Sequence, residues 1–131
     1  MPSRALIAAK RRGVDVRITA DREQTFSGEL TRIPDLAAAG IPVWLEVRYA
    51  AAHSRVMTVD PDTREPIVIT GSYNWTWSAQ HRNAENLLIV RQSPELTCAY
   101  LRNWEHRRRD ALQYGRGPDD GRTRLQFMGY N

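Results

Sequence analysis

His53-Ser54-Arg55-Val56-Met57-Thr58-Val59-Asp60 is the stretch on which the reading of this chain turns. Gly71-Ser72-Tyr73-Asn74-Trp75-Thr76 follows after one loop and one strand, and Asn83-Ala84-Glu85-Asn86 comes close behind. Residues two apart on a strand share a face, so His53 goes with Arg55 and Ser72 with Asn74. The pattern puts an imidazole, a fixed cation, a hydroxyl, an amide and a carboxylate on neighbouring strand ends. That set suits chemistry on a phosphodiester, where attack at phosphorus needs a nucleophile, a proton donor for the leaving oxygen and cations on the nonbridging oxygens. A histidine titrates near neutrality and can serve as either nucleophile or donor. A guanidinium holds phosphate oxygens at any working pH, in bidentate fashion.

Outward from that stretch, the flanking sequence alternates between helical and extended patterns. Residues 4–12 read as the end of a helix carrying Leu6, Ile7 and Ala9 and closed by Gly13. Residues 14–20 alternate as a half-buried strand. Residues 21–40 read as a polar loop passing into a second helix, with Leu30, Ile33, Leu36 and Ala37 on one side and Gly40 as its stop. Residues 41–47 are a strand with Pro42 at its start, where a missing amide donor is tolerated. Residues 53–59 and 66–70 form a hairpin across the turn-rich 60–65. Residues 78–82 are a short helical turn. Leu87-Leu88-Ile89-Val90 is continuously apolar and predicts a strand buried on both faces. Ser93-Pro94 opens a helix predicted to run to about Tyr114, with Leu96, Tyr100, Leu101 and Trp104 as its packing face.

The order helix, strand, helix, strand, hairpin, strand, helix implies an α/β fold with a mixed central sheet flanked by helices. One domain over residues 1–114 is expected, with 115–131 as a flexible C-terminal tail. The chain has 41% hydrophobic and 26% charged residues, which excludes neither a core nor solubility and points away from disorder. No apolar run approaches the length of about 20 residues that a membrane-spanning helix needs, so no integral membrane segment is expected and the location as written is cytoplasmic. Cys98 is the single cysteine, read as a small apolar helix residue; no disulfide or cysteine zinc site follows. No cluster of His, Asp, Glu or Cys has metal-ligand spacing, so neither metal nor cofactor is expected.

A net charge of +4 and a pI near 9.7 favour an anionic partner. The basic residues are one lysine, Lys10, and eighteen arginines. Arg107-Arg108-Arg109 is read as a solvated cationic helix end in preference to a nucleic-acid patch. His81 and His106 are read as surface residues, and Trp75 and Trp77 as core or rim packing in preference to base stacking.

The motif residues resemble the phospholipase D superfamily, whose signature is H-x-K-x4-D followed by G-S-x-N, with Arg55 standing where the family has lysine. The chain-wide preference for arginine makes that replacement one of charge conservation. The resemblance runs from about residue 4 to about residue 114 and implies a phospholipase D-like fold. It also implies a chain that begins after the N-terminal helix and strand of that group, so that either the true start lies upstream or the sheet lacks a strand and exposes an edge. By the same resemblance, His53, Arg55 and Glu85 are catalytic, and Arg55, Ser72 and Asn74 contact the substrate phosphate. Glu85 orients the imidazole, and Asp60 and Gly71 are structural. Two copies of the chain would meet as a homodimer with two His53 at a shared site, one forming a phosphohistidine and the other protonating the leaving group. The function expected is a metal-independent phosphodiesterase, a nuclease on DNA or RNA. The alternatives are a phospholipid hydrolase of the cardiolipin type, or a non-catalytic phosphate- or nucleic-acid-binding module that keeps Arg55, Ser72 and Asn74.

Overall fold

The computed structural model describes residues 2–27, 32–50 and 54–115. His53, Leu30 and residues 116–131 of the expected tail therefore lie outside the described residues. The chain divides into two compact units, one within Pro2–Ala52 and Arg107–Asn131, the other within His53–His106.

The first unit holds helix α1 (Pro2–Arg11), strand β1 (Ile18–Asp21), helices α2 (Arg22–Ser27) and α3 (Ile33–Ala38), and strand β2 (Val43–Glu46). Both α1 and α3 stop as their glycines predict. The amide of Gly13 donates to Lys10 and that of Val14 to Ala9; Gly40 donates to Ala37 and Ile41 to Leu36. This is one pattern used twice, in which the residue past the end turns left-handed and the last carbonyls are satisfied locally. Each stop is followed by a strand, and β1 and β2 pair in parallel with Ile18 opposite Val43. Val16, Leu36, Ile41, Val43 and Leu45 form the buried core, with Leu6, Ile7, Phe26 and Ile33 packed against it.

Two helical boundaries differ from the sequence reading. Residues 22–27, read as loop, form α2, where Thr25 Oγ1 donates to the Asp21 carbonyl 2.6 Å away. The last helix, α5 (Pro94–Arg109), ends before Tyr114 and gives way to strand β6 (Leu112–Gln113), which runs antiparallel to β2. The amide of Tyr114 donates to the Val43 carbonyl, so sheet pairing outcompetes continued helix.

Arg107 is also not the solvated cation expected. Its Nε and NH2 donate to Glu46 Oε1 and Oε2 at 2.6 and 2.5 Å, a bidentate pair in which the Glu46 side chain is 4% exposed. Its guanidinium also lies over the Tyr49 ring, while that of Arg108 lies over Trp44, 5.0 Å from the centroid. A buried carboxylate needs a partner, and the aromatic faces on β2 and just beyond it offer the helix end something better than water.

The second unit is an antiparallel sheet of β3 (Val56–Val59), β4 (Ile67–Gly71) and β5 (Leu87–Arg91), with helix α4 (Trp77–His81) between β4 and β5. Residues 60–65 make the expected hairpin link: Thr63 donates from both its amide and its hydroxyl to the Asp60 carbonyl. Val68, at the centre of the sheet, is fully buried. Leu87, Leu88 and Ile89 are 48, 59 and 47% exposed, so β5 is not buried on both faces as its composition predicts. It pairs only with β4 among the described residues, and an apolar run is buried only where something covers it. The architecture is α/β with mixed pairing, carried by two three-stranded sheets.

Candidate active site

Antiparallel pairing of β3, β4 and β5 brings the start of β3, the end of β4 and the start of β5 to the same end of the sheet. Val56 lies opposite Thr70, and Gly71 opposite Leu87. Arg55, Ser72 and Asn86 each stand one residue beyond those pairs. Asp60 lies past the other end of β3, in the hairpin, away from Arg55.

Gly71 is what lets the strands close there. At φ +148°, a Cβ on this residue would overlap the carbonyl oxygen of Asn86 and lie 2.8 Å from its side-chain oxygen. With no Cβ, the Ser72 amide donates to the Asn86 carbonyl and to Asn86 Oδ1 at 3.0 Å, and the Asn86 amide donates to Ser72 Oγ at 3.1 Å. The approach to Asn86 leaves no room for a Cβ at position 71.

Around this closure the polar side chains form two hydrogen-bonded groups. Arg55 Nε donates to Asn74 Oδ1. Ser72 Oγ donates to Glu85 Oε2 at 2.5 Å, and Asn83 Nδ2 donates to Glu85 Oε1 at 3.1 Å. The Glu85 carboxyl is held below its ordinary pKa, first by the Ser72 hydroxyl and then by Asn83, against the opposing effect of desolvation, with a lesser contribution from attraction to the Arg55 charge. Four residues picked out by sequence thus fall into two neighbouring groups, Arg55 with Asn74 and Ser72 with Glu85, linked by the attraction of the Arg55 charge for the Glu85 carboxylate, and His53 precedes Arg55 by two positions. Asn83 and Asn86 have no role in the sequence reading. The only signal for them is that they flank Glu85, and amides in a turn are commonplace.

Helix α4 supports the loop that carries Asn74. Thr76 caps it by accepting from the Ala79 amide, and the Tyr73 hydroxyl donates to Gln80 Oε1. Tyr73 and Trp75 meet edge to face, with ring centroids 5.4 Å apart. Trp75 is half-buried and has φ +58°. His81, Cys98 and His106 are exposed. No helix of the described residues is long and apolar enough to cross a membrane.

The family model "Cardiolipin synthase, PLD-like domain" matches residues 3–107. The chain belongs to the phospholipase D-like family. Phospholipase D of Rickettsia felis is 39% identical over 104 residues, which cover 79% of this chain and 49% of that protein. Mitochondrial cardiolipin hydrolase of Danio rerio is 37% identical over 108 residues, covering 79% and 45%. The chain thus spans about half the length of the curated relatives it matches. Among solved structures, the phospholipase D family member Nuc from Salmonella typhimurium superposes with a TM-score of 0.73 at 32% identity, covering 86% of this chain and 72% of that one. NucT from Helicobacter pylori gives 0.74 at 21% identity, covering 86% and 73%, a likeness of fold.

Proposed function

We propose that this phospholipase D-like chain, within residues 1–114, hydrolyses phosphodiesters without a metal ion, with nucleic acid as substrate. The observation that carries the reading is the convergence of Arg55 and Asn74 with Ser72 and Glu85 at one end of the β3–β4–β5 sheet, two residues after His53. In the proposed reaction an unprotonated His53 nitrogen attacks phosphorus and forms an N–P bond. The P–O bond to the leaving group breaks, and that oxygen takes a proton from the His53 of a second copy. Water then attacks phosphorus, the N–P bond breaks, and the second imidazole takes the proton from water. Arg55 balances charge on the nonbridging oxygens. Asn74, holding Nε, orients that guanidinium by a contact that a lysine, with one nitrogen, would have to share with the phosphate.

The nucleic-acid reading is supported by the net charge of +4 and by the likeness to Nuc. A phospholipid substrate is the second reading, favoured by the names of the Rickettsia and Danio rerio relatives. Labelled single- and double-stranded oligonucleotides and cardiolipin vesicles, each incubated with the chain in EDTA, separate them. The expected result is oligonucleotide cleavage that survives the chelator, is abolished in His53→Ala and leaves a trapped phosphohistidine on His53. Headgroup release from vesicles alone would move the assignment to phospholipid, and binding with no cleavage of either would overturn catalysis.

A further inference from the structure

The Ser72 hydroxyl has one proton and stands between two groups that settle where it goes. Glu85, its pKa lowered by its surroundings, is an ionised carboxylate that can only accept, and the Asn86 amide can only donate. Ser72 Oγ therefore gives its proton to Glu85 Oε2 and accepts from Asn86. Its remaining lone pair cannot serve a phosphate oxygen, which is itself an acceptor. On the other side, Asn83 Nδ2 donates to Oε1. The carboxylate is thus gripped at both oxygens from two different chain segments, the end of β4 and the turn before β5, while the Asn86 backbone and Oδ1 fix Ser72 in place.

We infer that Ser72 and Asn83 are positioning residues that act through Glu85 as a two-point clamp on its carboxylate, leaving phosphate contact to Arg55 and Asn74. The catalytic part of this inference rests on the proposed phosphodiesterase reading. The clamp itself does not, because it is a statement about the carboxylate. A carboxylate held at both oxygens cannot rotate, and a rigid acceptor is what a partner imidazole needs if its ring is to be held in one orientation and tautomer. The clamp also keeps Glu85 ionised, since both bonds favour the charged form.

Two measurements on the full chain test this. Carbon-13 NMR titration of the Glu85 carboxyl requires no activity. Ser72→Ala is expected to move its titration to higher pH, Asn83→Ala to do so by less, and Asn83→Asp, which replaces a donor with a like charge, to move it furthest. Single-turnover cleavage of a labelled oligonucleotide gives the second readout. Ser72→Ala and Asn83→Ala should each lower the maximal rate by about ten- to a hundredfold, as misorientation of a catalytic group does, with KM within about twofold and the acid limb of the pH profile moved upward. Asn83→Gln, which keeps the donor, should recover part of the rate.

A Glu85 titration that stays in place in both alanine variants overturns the clamp. A Ser72→Ala variant that raises KM severalfold at unchanged Glu85 titration overturns it as well and makes Ser72 a phosphate ligand. If the titrations move as expected but the parent chain cleaves nothing, the clamp stands and the phosphodiesterase reading falls.

Discussion

Strands β2 and β5 look alike in sequence and end in opposite surroundings. Each is a short apolar stretch, Val43 to Val47 and Leu87 to Val90, and the second is the more apolar of the two. Yet Val43 and Leu45 are 1 and 0% exposed, while Leu87, Leu88 and Ile89 are about half exposed. β2 has a strand on either side, and its buried side chains belong to the cluster that α1 and α3 cover. β5 has β4 on one side, and its outer edge has no strand among the described residues. Hydrophobic composition creates a demand for cover, and the neighbours decide whether it is met.

Leu45→Ala is the strongest way to test that contrast. Removing a fully buried leucine side chain should cost about 2–5 kcal/mol in urea unfolding, and a cost under about 1 kcal/mol would mean that β2 is not the core strand described here. Next comes Arg107→Ala, which leaves the Glu46 carboxylate, 4% exposed, without its guanidinium. A loss of about 3 kcal/mol is expected in the same assay, with only partial recovery in Arg107→Lys, because a single nitrogen cannot reproduce the two-point contact. Gly71→Ala should cost about 1–3 kcal/mol by pushing the Asn86 backbone away. It should also release Ser72 from Glu85, visible as a rise in the Glu85 carboxyl pKa.

At the other extreme, Leu88→Thr on β5 should change stability by no more than about 0.5 kcal/mol, as for surface positions. A cost above about 2 kcal/mol would show that β5 is covered in solution and erase the contrast with β2. The smallest effect belongs to pH. Glu85 is depressed in the folded chain, so its contribution to stability is present above the ordinary glutamate pKa and is lost as pH falls through its folded value. Urea unfolding of the parent chain and of Glu85→Gln across that acid range should converge at low pH. Curves that diverge as pH falls would contradict the sign.

Much of the candidate site was legible before any coordinates. Spacing and the family resemblance together put Arg55, Ser72, Asn74 and Glu85 near one another, since a hairpin and a following strand return to the same end of a sheet. What spacing did not reveal is who holds whom. That Asn74 takes Arg55 Nε, and that Ser72 and Asn83 share Glu85, depends on side-chain directions at the strand ends. Those directions follow from the close approach of Gly71 to Asn86. Trp75 at positive φ is similarly invisible, because nothing in a tryptophan announces a left-handed backbone.

The sequence by itself determined the local events: helix stops at Gly13 and Gly40, the hairpin across 60–65, the start of α5 at Pro94 and the family motif. Each depends on residues a few positions apart, where backbone geometry and one or two hydrogen bonds decide the outcome. Tertiary structure alone decided that Arg107 would neutralise Glu46, 61 residues away, that β6 would displace the end of a helix, and that β5 would keep an apolar edge exposed. Those outcomes depend on which surfaces meet through space, and neither a desolvated carboxylate nor an uncovered strand leaves a mark in the residues next to it.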